Sequence, residues 1–222
     1  MKKNSSTQLL EIYHRLFVCY GTQHWWPAED HFEVMVGAIL TQSASWQNVE
    51  KAIVNLKNAG VMTPAVIRDI PAITLAKLLR PAGYYNAKAI KLQALANWLS
   101  AVCGDNLSAL FTVNTDEFRK QLLNVHGIIP ETADSILLYA AQKPVLVIDT
   151  YTRRIIGRLA LAPACTTYDD YQTFLTSNLP REVPLFNEYH ALLVRLAKEN
   201  CKTQPLCTKC CPRDLCHFQN LA

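Results

Sequence analysis

Apolar residues recur at helical spacing along almost the whole chain, and no two segments alternate as paired strands would. Within 7–20, Leu9, Leu10, Tyr13, Leu16, Phe17 and Tyr20 fall on one face. The stretches 32–40 and 49–56 repeat the pattern, and 85–102 extends it into a long amphipathic helix. Pro64 and Pro71 suit the first turns of two short helices that stop at Arg80-Pro81-Ala82-Gly83. Asn114-Thr115-Asp116-Glu117 is a helix start with acidic residues in its first turn, and that helix runs to 124. Another spans 130–142. Val145-Leu146-Val147-Ile148 has the composition of a buried strand but no second run to pair with, so it is expected to be an extended connector into a helix after Asp149. Helices over 168–177 and 184–200 complete an all-α reading.

The 222 residues are half hydrophobic, enough for a substantial core, and the formal net charge is +4. That charge permits a polyanionic partner without demanding one. No stretch approaches the roughly 20 consecutive apolar residues of a membrane span. The N-terminus meets polar residues before any apolar block and shows no cleavage site, so the expected compartment is the cytoplasm, at the nucleoid in a bacterium. The chain is expected to act as a monomer.

Five of the eight cysteines crowd into the tail, spaced Cys201-x5-Cys207-x2-Cys210-x5-Cys216 with Cys211 as an extra thiol. In a reducing compartment such a cluster holds metal more often than it forms disulfides. Four thiolates suit tetrahedral zinc or an iron–sulfur cluster. Zinc ribbons use two C-x2-C knuckles and this tail has one, while its wide gaps let the loop wrap a larger cuboidal object. A [4Fe–4S] cluster is therefore expected, with zinc the alternative and unrelated buried cysteines the bland reading. Cys211 reads as a bystander, and Cys19, Cys103 and Cys165 as packing residues.

Upstream, two short helices flank a tight turn at 125–130, a hairpin whose backbone N–H groups suit phosphate at the start of the second helix. Asp149 then stands at the end of the apolar connector. An aspartate there is ordinarily an N-cap, and the same helix end would keep the carboxylate ionised, so capping and chemistry are compatible.

The order of these segments resembles the helix–hairpin–helix DNA glycosylases of the endonuclease III superfamily. The resemblance covers most of the chain. It rests on Val125-His-Gly-Ile-Ile-Pro-Glu-Thr-Ala133, on Val147-x-Asp-Thr-x-x-x-Arg154, on Gly37-Ala-Ile-Leu-Thr-Gln-Ser43, on Gly83-Tyr-Tyr-Asn-Ala-Lys-Ala89 and on the cysteine loop. It implies a two-lobed fold: a six-helix barrel over 27–133 ending in the hairpin, and a second lobe from 1–26 and 134–222 carrying the cluster loop 201–216. By the same resemblance Asp149 is the catalytic aspartate, Cys201, Cys207, Cys210 and Cys216 are the cluster ligands, and the partner is double-stranded DNA containing a damaged base. Gln42 or Ser43 would fill the gap left by an extruded base, and Lys88 with the amides near Gly127 and Ile129 would meet phosphates. Each of these could equally be a solvated surface residue.

Three positions depart from the pattern. The first cysteine gap is one residue shorter than in endonuclease III. Ile129 replaces the hairpin's second glycine, and a β-branched residue suits a positive-φ turn poorly. Glu131 occupies the position of the lysine that bifunctional members use to attack the sugar, and a carboxylate cannot form a Schiff base. Lys143 would substitute only if the fold brought it to the site. The implied enzyme is therefore monofunctional.

Gln23-His24-Trp25-Trp26-Pro27 and Trp46 resemble the 3-methyladenine branch of the superfamily, in which Trp25, Trp26, Pro27, Trp46 and Glu131 would line the base pocket. Paired tryptophans are also ordinary core, and Glu131 an ordinary first-turn acid. A 3-alkylated adenine is cationic, so electron-rich indoles attract it. The expected activity is hydrolysis of the N-glycosidic bond of an alkylated purine such as 3-methyladenine. The alternatives are a glycosylase for another damaged or mismatched base, and a non-catalytic DNA-binding module with a metal-stabilised tail.

Overall fold

The structure is a computed structural model that describes residues 4–163 and 166–218. Every regular element among them is helical. The first helix, α1 (Ser5–Tyr20), is followed by α2 (His31–Leu40), α3 (Trp46–Asn58), α4 (Pro64–Asp69), α5 (Ala72–Leu78) and α6 (Tyr85–Cys103). Next come α7 (Leu107–Phe111), α8 (Thr115–Leu123) and α9 (Pro130–Ser135), which widens without a break into a π turn, Ile136–Ala140. The last three are α10 (Thr150–Arg158), α11 (Tyr168–Asn178) and α12 (Val183–Glu199). No described helix is long and apolar enough to cross a membrane. Cys165 lies outside the described residues.

The starts and stops are legible in side-chain chemistry. Asp30 Oδ1 accepts from the Glu33 amide at 2.8 Å and starts α2, while the Glu33 side chain reaches back to the Glu29 amide at 3.1 Å. Asn114 caps α8, and Thr167 with Asp170 forms a reciprocal capping box on α11. The connector 145–148 forms no strand and is buried at all four positions, as its apolar run and missing partner require. One helix escaped the sequence reading: α7, whose five residues are too few to show a period.

The chain divides into two compact units. The first comprises 1–25 and 144–222, and the second 26–143. The second unit ends at 143 rather than 133, because the π turn packs on α2 and carries 134–143 with it. Its core is α2, which is buried from Phe32 to Leu40, with α6 lying against α4 and α5. In the first unit α12 packs on α1 and α10, and the buried Tyr189 hydroxyl donates to the Leu9 carbonyl at 2.8 Å.

Gly37 in the middle of α2 is a close-approach glycine. A Cβ there would stand 3.0 Å from Trp26 Cζ2, and the Trp26 ring is itself held by Trp46 and Tyr139. Gly37→Ala should gain about 1 kcal/mol in helix propensity and lose about 1–3 kcal/mol by overpacking. Thermal unfolding of the variant should therefore show a lower midpoint. An unchanged or raised midpoint would mean that the indole yields freely.

Candidate active site

Asp149 is the N-cap of α10. Its extended backbone, φ −91° and ψ 178°, follows the buried connector, and the Ile148 amide is fixed by the Tyr168 hydroxyl at 3.2 Å. Oδ1 accepts from the Thr152 amide at 2.7 Å. Oδ2 faces His190 Nε2 on α12 at 3.7 Å. The Asp149 side chain keeps 13% of its surface accessible and that of His190 7%. Burial alone would raise the carboxyl pKa. The His190 imidazole and the amide and hydroxyl of Thr152 outweigh it, so the group lies below the ordinary value of 3.8 and is ionised at neutral pH. Asp149 is thus both the cap and a charged carboxylate with a second oxygen still available.

Three aromatic rings pack together in the second unit. Trp26 packs edge-on against Trp46, centroids 5.4 Å apart, and tilted against Tyr139 at 5.2 Å. In the first unit Lys198 of α12 stands over the Trp25 ring at 6.0 Å. Pro27 is exposed, and so is Glu131 in the first turn of α9. Tyr139 was missed by the sequence reading because a lone tyrosine in an apolar helix carries no signal, and the π turn that holds it is not a period.

The residues assigned to DNA contacts are placed unequally. Lys88 is 2% exposed, and its ammonium donates to the Leu40 and Ala82 carbonyls at 2.8 Å each. Burial, with help from the charge of Lys91, lowers its pKa to about 8. It is a clamp on the C-terminal ends of two helical turns, not a phosphate ligand. Gln42 is a clasp: Nε2 donates to the Gly127 carbonyl at 3.0 Å and to Thr132 Oγ1 at 2.9 Å, while Oε1 accepts from Lys91 Nζ at 2.5 Å. It ties the turn after α2 to the hairpin.

Ser43, by contrast, is exposed with φ at +53°. The hairpin places its positive φ, +86°, at Gly127, above the stem of Lys91. Ile129 has φ −98° and ψ 165°, an extended residue rather than a left-handed one, so its β-branch causes no strain. Lys143 donates to the Val113 carbonyl at 2.8 Å. The sequence reading gave no role to Tyr84, a 75% exposed ring on a left-handed backbone at φ +44°. An exposed aromatic ring offers a face on which a base can stack.

In the tail, Cys201, Cys207, Cys210 and Cys216 line one cavity with Arg158, Asn200, Pro205, Arg213 and Phe218. Arg158 donates to Cys201 Sγ at 3.2 Å and to the Lys202 and Thr203 carbonyls, and Arg154 donates to the Cys201 carbonyl. Burial and the three neighbouring thiols push Cys210 up to about 12. Among the described residues no group of His, Cys, Asp or Glu side chains is arranged to hold a metal ion. Two expectations are corrected here. Cys211 is no bystander and Cys19 does more than pack, because the two form a disulfide. The reason is proximity: Arg15 on α1 also binds both carboxylate oxygens of Asp214, fastening the loop beside Cys19.

Residues 36–181, about two thirds of the chain, match the HhH-GPD superfamily of base excision DNA repair proteins, a span that includes both the hairpin and Asp149. The chain belongs to that superfamily. A protein of Methanocaldococcus jannaschii described as a candidate DNA repair glycosylase is 39% identical over 97% of this chain and 99% of its own. A solved 3-methyladenine DNA glycosylase of H. pylori, bound to 1,N6-ethenoadenine, is 27% identical and covers 89% of this chain and 98% of its own, with a TM-score of 0.76. The fold of an endonuclease III–DNA complex aligns over the whole chain with a TM-score of 0.84 at 21% identity. This protein is a DNA glycosylase of the helix–hairpin–helix type, and the HhH-GPD match contains the carboxylate and the hairpin while ending before the cysteine loop.

Proposed function

We propose that this glycosylase is monofunctional and releases an alkylated purine such as 3-methyladenine from double-stranded DNA. The observation that carries the reading is the packing of Trp26, Trp46 and Tyr139 in the unit that bears the hairpin, with Glu131 where a bifunctional enzyme has lysine. The H. pylori 3-methyladenine glycosylase supports it at 27% identity. The bond from Lys143 to the Val113 carbonyl supports it by giving the nearby amine another partner.

The chemistry needs little beyond one carboxylate. A 3-alkylated adenine in DNA is cationic, so its glycosidic bond breaks with the electron pair passing to the base, which leaves neutral and needs no acid. Positive charge appears on the sugar, where an ionised carboxylate stabilises it. Water then bonds to C1′ and yields its proton to Asp149 or to solvent. Extruding the base costs a few kcal/mol, and stacking on aromatic rings offsets that cost. Gln42 shapes the hairpin, and the exposure of Ser43 and Tyr84 supports a role for them in meeting the opened duplex.

The tail fits a [4Fe–4S] cluster held by Cys201, Cys207, Cys210 and Cys216, since these four thiols line one cavity at the spacing read from the sequence. Its role would be structural, ordering the loop that carries Lys202, Lys209 and Arg213. Zinc is the alternative, and iron and sulfide analysis of the purified protein separates the two.

Duplexes carrying alkylated, oxidised or uracil bases test the substrate. Alkylated purine release should dominate, and borohydride should trap no covalent protein–DNA adduct. A strong adduct would overturn the monofunctional reading, and preferential release of oxidised pyrimidines would overturn the pocket reading.

A further inference from the structure

The middle of α12 is apolar on its buried side: Tyr189, Ala191, Leu192, Leu193 and Val194 all lie inside. His190 sits among them, 6% exposed, where leucine would fill the same space without a polar atom to satisfy. Its Nε2 faces Oδ2 of Asp149 at 3.7 Å.

The two oxygens of Asp149 are held differently. Oδ1 is spoken for by the Thr152 amide at 2.7 Å, a bond that any capping residue would make. That bond starts α10 but leaves the carboxylate plane free to tilt about it, because one anchored oxygen defines a pivot and not an orientation. Oδ2 is the oxygen left for chemistry, and the imidazole stands across from it on a separate helix. At 3.7 Å the contact is longer than a formed hydrogen bond. A small rotation of the carboxylate closes it. Both side chains lie where solvent screening is weak, so the direction of the imidazole N–H matters more than it would at the surface.

We propose that His190 is a positioning residue for base release, fixing the orientation of Oδ2 while the Thr152 amide fixes Oδ1. The inference rests on the reading of Asp149 as the carboxylate that faces the sugar. Electrostatic stabilisation by one carboxylate depends on where its charge lies relative to C1′, and misplacement by about 1 Å can cost about 100-fold in rate. The capping function of Asp149 makes no such demand. This separates a helix cap that happens to be acidic from one that is aimed.

The test uses the full chain and single-turnover release of methylated purines from alkylated duplex DNA. His190→Phe keeps a ring and removes the N–H, and it should slow release about 10–100-fold with affinity for DNA within about twofold. His190→Gln places an amide N–H near the position of Nε2 and should recover at least about tenfold of that loss. Wild-type rates in the Phe variant, or equal slowing in Phe and Gln variants, would overturn the proposal, since packing alone predicts one or the other. If the Phe variant does not fold, His190→Gln is compared with His190→Asn, whose amide falls a methylene short. Gln faster than Asn supports positioning, and equal rates overturn it. Asp149→Asn is run alongside: undiminished release by that variant sinks the reading of Asp149 itself, whatever the histidine variants do.

Discussion

Asp149→Asn should lose base release by about 10²–10⁴-fold while the fold and DNA affinity survive. The two halves of this expectation come from two different oxygens. As a cap, asparagine is about as good as aspartate, because its Oδ1 can accept from the Thr152 amide just as the carboxylate does. Helix α10, the buried connector before it and the contacts of Arg154 and Arg158 with the cysteine loop should therefore be kept. As a charge, asparagine offers nothing: a neutral amide cannot stabilise a sugar that becomes cationic as the base departs.

The pH dependence follows from the same carboxylate. Its folded pKa is depressed below the ordinary 3.8, so the charged form is the one that the native state favours. Its contribution to stability is fully present above 3.8 and is lost as pH falls through the folded value. Wild-type activity should hold from neutral pH down through the ordinary aspartate range, and acid unfolding of the variant should lack this group's share. Circular dichroism, a DNA-binding titration and a base-release assay on one preparation check all three statements. A variant that releases base at the wild-type rate would reduce Asp149 to a cap.

Much of this architecture is written in short local signals. Caps at Asp30, Asn114 and Asp149, the proline at the start of α4 and the apolar period of α1, α2 and α6 each name an element without reference to any other. Asp149 could be placed at a helix start from its neighbours alone. His190 could not, because a histidine inside an apolar helical face looks the same whether it meets a carboxylate or a carbonyl. That information is carried by a partner 41 residues away in sequence, visible as the contact between α10 and α12.

The errors share a cause. The resemblance points Lys88 at phosphate, but a pair of carbonyls at the ends of two helical turns holds its ammonium inside. Cys19 and Cys211 are separated by 192 residues, and no spacing rule reaches that far. Ile129 shows the reverse: a sequence departure that looked costly is harmless, because the positive φ falls on Gly127.

Trp46→Ala is the second large effect, and it discriminates by charge rather than by shape. The Trp46 ring stands perpendicular to Trp26 at 5.4 Å and is only half-buried, at the first position of α3, which alanine continues well. The fold should therefore tolerate the change better than a substitution at Trp26, whose indole fills the space above Gly37. Stacking of a base on an aromatic ring is worth about 1–3 kcal/mol, or about 5–150-fold in binding. For a cationic base a further cation–π contribution of about 0.5–2 kcal/mol is added. Release of 3-methyladenine should thus fall further than release of a neutral purine such as 1,N6-ethenoadenine, by an extra factor of about 2–30. Trp46→Phe, which keeps a weaker π face, should lie between. The measurement is the ratio of single-turnover rates on the two bases, so that any general loss of folded enzyme cancels. Equal losses on both bases would remove cation–π attraction from the account and leave Trp46 as a wall. No loss on either would place the base elsewhere and end the assignment of this aromatic cluster to the pocket.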